Sequence, residues 1–223
     1  MLQVTDIYKT YRHRPILRGV SFTAGPGECI GIAGGNGCGK TTLLSILAGV
    51  RRPDRGSIRF DEAEAVGKRK VFEACAAYVP QEAPIIPELT ARDNFSLWFK
   101  GDKKKMEADL KSGVAGALKL TEFLDTPAGK LSGGQKKRLS IASALSGRAP
   151  VLILDEPGAA LDLAAKEEIL SYVEAYRRDG GCVILTSHEM AELNLCTSLY
   201  VLKDGTLHPT AKGLSASELI RLF

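Results

Sequence analysis

The sequence has no apolar run approaching the ~20 residues that cross a bilayer as a helix, so it is not expected to be an integral membrane protein. It shows no secretory signal pattern, no low-complexity segment, no internal repeat and no long linker. Cysteine is sparse and unpatterned: Cys29, Cys38, Cys75, Cys182 and Cys196 are odd in number and lack metal-ligand spacing. They read as reduced residues of a cytosolic compartment, with Cys29 and Cys182 in or beside apolar strands, which argues against a disulfide framework. A large excess of one charge is also missing. The formal net charge of +4 fits a protein that handles an anionic ligand and does not require nucleic acid. The basic triplets Lys68-Arg69-Lys70 and Lys103-Lys104-Lys105 are short, and the second reads as a solvated surface run. What is present is 223 residues with a 44% apolar share, enough for a substantial core in one large or two small domains.

Strand texture is expected over 3–8 and 16–23, flanking a polar turn at 12–15, and again over 57–60 and 77–79, with 61–76 polar and variable. Beyond Gln81 the texture changes. Residues 82–87 read as irregular. Thr90 and Asp93 resemble a capping box with Asp in place of Glu, followed by Phe95, Leu97, Trp98 and Phe99. An amphipathic helix is expected over 106–125 with Leu110, Val114, Leu118 and Leu120 buried, weakened by Gly113 and Gly116. Short unbroken apolar runs at 151–154 and 183–185 suit strands buried on both faces of a parallel sheet, with a helix over 163–178 between them. A hairpin at 199–207 and a short helix at 215–223 complete the chain.

The stretch Gly34-Gly35-Asn36-Gly37-Cys38-Gly39-Lys40-Thr41-Thr42 reads G-x-x-x-x-G-K-[ST], between the apolar run Ile30-Gly31-Ile32-Ala33 and the helical pattern Leu43-Leu44-Ser45-Ile46-Leu47-Ala48. Strand, glycine loop and helix are the context this phosphate loop requires. Glycines let successive N–H groups turn toward one anion, and the helix N-terminus adds its positive dipole end. Lys40 is a mobile cation for outer phosphates, and the Thr41 hydroxyl is placed to ligate Mg2+. The fold expected is therefore α/β: a P-loop NTPase core with a mainly parallel sheet, an antiparallel N-terminal β block, and an inserted helical subdomain over about 82–145, all in one domain of residues 1–223.

The run Leu152-Ile153-Leu154-Asp155-Glu156 delivers two carboxylates to a strand's C-terminal end, where ligands sit in such sheets. Asp155 can hold Mg2+, and Glu156 can polarise a water attacking a γ-phosphate. Leu131-Ser132-Gly133-Gly134-Gln135, just before a helix expected from Gln135 to about Leu145, has the makings of a second anion cradle. With L-S-G-G-Q between the phosphate loop and the aspartate strand, the chain resembles the nucleotide-binding subunit of ABC (ATP-binding cassette) transporters over essentially its whole length.

That resemblance implies further roles. Tyr11 matches the aromatic that stacks on adenine. Gln81 matches the glutamine that reaches Mg2+ and the attacking water. Asp162, in Ala160-Leu161-Asp162, matches the loop that crosses the dimer interface. His188 matches the histidine that contacts the γ-phosphate. Ser132, Gly133, Gly134 and Gln135 would act in trans. Three positions depart from the family pattern, with no catalytic loss expected: Gly35 where Pro is common, Gly158 where Thr or Ser follows Glu-Pro, and Ser198 where Asp often opens the late strand.

The function implied is ATP binding and hydrolysis, with Mg2+, driving transport of an unspecified substrate. The partners implied are a second nucleotide-binding subunit, identical or not, and separate membrane-spanning permease subunits. The subunit would lie in the cytoplasm, peripheral on the inner face of the cell membrane. No nucleic acid partner is expected. No regulatory domain is expected after the core, and the compact length leans toward an exporter. Two other classes stay open at this level. One is a soluble ABC ATPase working on nucleic acid, ribosomes or cluster assembly, supported only by the basic triplets. The other is a small-molecule kinase, against which L-S-G-G-Q and the Glu156/His188 pair speak.

Overall fold

The computed structural model describes residues 1–82 and 84–223; the irregular stretch expected over 82–87 includes Ala83, which lies outside the described residues. In chain order the elements are β1 (Leu2–Tyr11), β2 (Arg14–Ala24), β3 (Cys29–Ala33), α1 (Lys40–Leu47), β4 (Arg55–Phe60), β5 (Ala63–Glu64), α2 (Arg69–Cys75) and β6 (Ala76–Val79). There follow α3 (Ala91–Trp98), α4 (Lys103–Ser112), α5 (Val114–Ala117), α6 (Gly133–Leu145), β7 (Val151–Asp155), α7 (Leu163–Arg178), β8 (Cys182–Thr186), α8 (Met190–Asn194), β9 (Ser198–Lys203), β10 (Thr206–Thr210) and α9 (Ala216–Arg221).

Strand β3 feeds the phosphate loop from the middle of a 6-stranded sheet ordered β10-β9-β3-β8-β7-β6. Its pairings with β8 and β9, and those of β7 with β8 and β6, are all parallel. Only β10 runs antiparallel, on β9. Side chains alternate across a strand, and this alternation divides the core in two. Ile30, Ile32, Val151, Ile153 and Ile184 face α1 and the second sheet. Cys29, Leu152, Leu154, Val183 and Leu185 face the cluster that holds Phe95, Leu139, Ile141 and Val173. Burial on both faces is why these runs are unbroken apolar sequence. The second sheet, β2-β1-β4-β5, is antiparallel. The β1–β2 turn is tighter than expected. It has only Arg12 and His13 at its centre, both with positive φ (44° and 67°), the primed-turn geometry that matches strand twist; Arg14 and Pro15 belong to β2.

One expected element is corrected. The single helix over 106–125 is broken into α4, which ends at Ser112, α5, and a 3-10 turn at Leu120–Glu122. Gly113 turns extended (φ −91°, ψ −156°), and the Asp109 carboxylate accepts the Ala115 N–H at 3.1 Å, a side-chain bond that competes with continued helix. Leu110, Leu118 and Leu120 are nonetheless buried, and Val114 packs against them, so the apolar spacing predicted burial correctly and continuity wrongly. The 61–76 stretch, read as polar and variable, holds β5 and α2.

Candidate active site

The loop between β3 and α1 has the backbone its glycines permit. Gly34, Gly37 and Gly39 carry φ of 153°, 74° and 113°, the left-handed range that costs other residues energy. At Gly34 a Cβ would also stand 2.6 Å from the Leu202 carbonyl oxygen. Gly35 has open space around it, so its replacement of Pro meets no obstruction. Asn36 and Gly37 are exposed at the tip, and the Cys38 N–H donates to Gly35 O at 3.3 Å. Lys40 opens α1 and is 6% exposed; its Nζ donates to Gly34 O at 2.8 Å, to Gly35 O at 3.3 Å and to His188 Nε2 at 3.1 Å. An ammonium only donates, so Nε2 accepts here and the ring carries its proton on Nδ1. Thr41 is exposed and Thr42 half-buried beside it.

Strand β7 ends on the acid pair. Asp155 is 1% exposed; its Oδ1 accepts from the Thr186 hydroxyl at 2.6 Å, and its Oδ2 has no hydrogen-bond partner among the described residues. Glu156 stands in the left-handed region (φ 47°), a strained geometry for a non-glycine residue. It is held there by its N–H, which donates to Thr186 O at 3.1 Å and Thr186 Oγ1 at 3.2 Å. Its carboxylate accepts from Gln81 Nε2 at 3.1 Å and lies 3.4 Å from His188 Nε2. The structure thus brings Lys40, Gln81, Glu156 and His188 into one connected group, with Asp155 adjacent in sequence. The Tyr78 phenol is pushed up to about 12, first by burial and then by the negative charge of Asp155.

Mg2+ takes hard oxygen ligands and retains some of its water. The buried, unpartnered Asp155 Oδ2, with the Thr41 hydroxyl and the Gln81 amide among the candidate donors, fits that requirement.

Tyr11 ends β1. Its hydroxyl accepts from Arg51 Nη1 at 3.0 Å, and Lys9 Nζ and the Arg51 guanidinium lie 5.5 and 5.7 Å from its ring centre, so two cations fix this ring.

The second glycine loop is built otherwise. Ser132 caps α6 in a reciprocal box: its Oγ accepts the Gln135 N–H at 3.2 Å, and its own N–H donates to Gln135 Oε1 at 2.9 Å. Gly133 is exposed. Gly134 is buried, where a Cβ would stand 2.5 Å from Ala165 Cβ on α7. Asp162 caps α7 by accepting the Ala165 N–H at 2.8 Å. Among the described residues no hydrogen bond or ion pair joins Ser132–Gln135 to the Gly34–Thr42 loop, so the structure does not unite the two cradles within one chain.

Sequence reasoning passed over several side chains that shape this region. Thr186, fully buried at the end of β8, orders both acids; a lone Thr closing an apolar strand was its only signal. Lys137, buried on α6, donates to the carbonyls of Pro80 and Gln81, and its ammonium is pulled below its ordinary range by burial, against the opposing charges of Asp155, Glu192 and Glu156. Glu192 is 2% exposed with Oε1 unpartnered, and burial raises its carboxyl. Its oxygen occupies the place a Cβ at residue 158 would need, which gives the departure at Gly158 a physical consequence. Leu163, at 73% exposure, follows the Asp162 loop as a bare apolar side chain.

The phosphate loop beneath a parallel sheet, facing a carboxylate pair, defines a P-loop ATPase. Comparison with known proteins narrows this. Residues 17–159 match the family model described as ABC transporter. The cytochrome c biogenesis ATP-binding export protein CcmA 1 of Salmonella paratyphi A is 36% identical over 190 residues, covering 85% of this chain and 90% of that protein. The Nod factor export ATP-binding protein I of Rhizobium etli is 33% identical, covering 100% of this chain and 73% of its own length. Among solved structures, a dimeric post-hydrolysis state of the ATP-binding cassette MJ0796 bound to ADP and Pi superposes with a TM-score of 0.83 at 26% identity, covering 96% of this chain and 100% of that one. The chain belongs to the ABC transporter family, as an ATP-binding, ATP-hydrolysing subunit.

Proposed function

We propose that this subunit powers export through separate membrane subunits, and that its hydrolytic site is completed by a second cassette. The observation that carries this reading is the separation of the two glycine cradles. The Gly34–Thr42 loop can hold the phosphates of one ATP, whereas among the described residues Ser132–Gln135 has no bond to that loop and heads a helix whose Gly133 and Gly134 N–H groups make no hydrogen bond, leaving them to cap a partner's γ-phosphate. Export is favoured because relatives such as CcmA 1 and the Nod factor protein are themselves named export proteins.

In this reading Lys40 and the N–H groups of Gly34, Gly35, Asn36, Gly37, Cys38 and Gly39 hold the phosphates, and Tyr11 stacks on adenine. Thr41, Gln81 and Asp155 would hold Mg2+, which would supply charge neutralisation to the outer phosphates. Glu156 takes the proton of the attacking water. Gln81, whose amide already donates to the Glu156 carboxylate, holds it in place, and His188, beside the Lys40 ammonium, lies toward the γ-phosphate. Asp162 and the exposed Leu163 lie on the face offered to the second cassette. No helix among the described residues is long and apolar enough to cross a membrane. Transport then needs permease subunits, with this one peripheral on the cytoplasmic side. Their cytoplasmic helix fits the groove of about 580 Å³ lined by Pro80, Ile85, Leu97, Trp98 and Ala144, where Leu97 and Trp98 are exposed.

The test is complementation between two inactive chains, Lys40→Ala and Gly133→Asp. Gly133 is exposed, and a Cβ there would stand 3.2 Å from Leu161 Cδ2, the end of a flexible side chain. The aspartate is therefore tolerated in the fold and opposes a partner's γ-phosphate. Each variant alone has two damaged sites; the mixed dimer has one intact site and regains ATP-dependent dimerisation. Cross-linking of Ser132 to a nucleotide held by Lys40 of the same chain would overturn the shared site.

A further inference from the structure

Lys137 lies on α6, two residues beyond the signature glutamine, Gln135. Its side chain is buried, and Nζ donates to two successive backbone carbonyls, Pro80 O at 3.2 Å and Gln81 O at 3.1 Å. Among the described residues no other side chain or loop N–H donates to either carbonyl. The side chain of Gln81 bonds elsewhere, its Nε2 donating to Glu156 Oε2 at 3.1 Å. The signature helix therefore grips the backbone of the residue whose amide meets the acid. A buried ammonium is costly unless it is paired and hydrogen-bonded. Here its bonds hold down a segment that leaves β6 with no strand pairing of its own after Val79.

We propose that Lys137 is a positioning residue that ties the signature helix to the Gln81 segment, so that bringing Gln81 onto Glu156 and setting the signature against a partner's nucleotide are one movement. Two carbonyl anchors fix both the position and the direction of the Gln81 peptide, which one could not. Loss of the tether leaves Gln81 chemically intact but free to drift from Glu156. Misplacing such a group by about 1 Å costs on the order of 10²-fold in rate. The nucleotide's own holders, Lys40 and the glycine N–H groups, are untouched, so the loss falls on kcat and spares KM.

This inference rests on the role proposed for Gln81, and the experiment separates the two. ATP turnover and thermal melting are measured on the full chain for Gln81→Ala, Lys137→Met, Lys137→Arg and the double variant Gln81→Ala/Lys137→Met. Lys137→Met is expected to lower kcat by about 10²-fold with KM for ATP changed by no more than about twofold. Lys137→Arg, which keeps the charge and the donors, recovers most of the rate. The double variant is no slower than Gln81→Ala alone, because Lys137 acts only through Gln81. If Gln81→Ala slows turnover while Lys137→Met does not, or if the two losses multiply, the tether is wrong and Gln81's role stands. If Gln81→Ala turns over at the normal rate, the reading of Gln81 itself fails. Should Lys137→Met not fold, Lys137→Gln, a shorter neutral donor, decides: about a 10-fold lower kcat with a native melt supports the tether, and an unchanged rate overturns it.

Discussion

Two glycine-rich loops open helices in this chain, and they use their glycines differently. In the Gly34–Thr42 loop three glycines sit at positive φ, so the residue type is required by the backbone itself. In the Ser132–Gln135 loop no glycine does. Gly133 and Gly134 are the first residues of α6, and Gly134 is required because Ala165 of α7 leaves no room for a Cβ. Ser132 and Gln135 already satisfy each other's N–H groups. The first loop is a preformed cradle with its own cation in Lys40. The second is a rigid helix start, to which the proposed shared site gives a partner's γ-phosphate to cap. Similar composition arises from two physical demands, one of torsion and one of packing.

The comparison is broken most directly by emptying the first cradle. Lys40→Ala is expected to lower ATP hydrolysis by roughly 10³-fold or more and to weaken nucleotide binding, since the one buried ammonium of the loop is lost. Steady-state phosphate release checks this, and near-normal turnover would remove the assignment. Glu156→Gln sharpens the comparison by loading the first cradle without consuming its contents. The amide cannot take a proton, so hydrolysis slows by about 10²–10⁴-fold, ATP stays bound, and a nucleotide-bound dimer accumulates on a sizing column. Loss of ATP binding instead would make Glu156 structural.

Gly134→Ala addresses the second loop by packing alone. Crowding Ala165 should cost about 1–3 kcal/mol of stability, seen as a lower melting temperature with ATP affinity at the first cradle unchanged. An unaltered melt would show that α6 and α7 can part freely. The smallest effect concerns Glu192. Burial holds its carboxyl above the ordinary value of 4.5, so the folded state keeps the proton more readily than the unfolded state. Stability therefore falls as pH rises from about 4.5 through the folded value. Glu192→Gln cannot lose a proton, so its melting temperature should gain on the parent's as pH rises. A pH-independent difference between the two melts would refute this.

Much of the fold was legible because its signals are local. The helix expected over 163–178 matches α7, and the strand runs at 151–154 and 183–185 fall within β7 and β8. Asp204-Gly205 announced the β9–β10 turn, and both residues have positive φ. The failure at 106–125 was also local in kind. Apolar spacing reports which residues are buried, but the bond that the Ala115 N–H donates to Asp109, at the end of the helix, has no periodicity to betray it.

The sequence by itself determined the class of chemistry, because glycines at positive φ, a lysine at a helix start and acids at a strand end act through backbone geometry that neighbouring residues specify. Only the tertiary structure decided which groups meet. Gln81, Glu156 and His188 come from three separate stretches and touch because β6, β7 and β8 lie side by side in parallel. Thr186 holds both acids because the β7–β8 register sets Asp155 opposite it. Lys137 reaches the Gln81 backbone, and Glu192 fills the space beside Gly158, because side chains far apart in sequence were packed into one volume. Contacts of that kind leave no spacing rule in the chain, since sheet order and burial fix them after the local elements have formed.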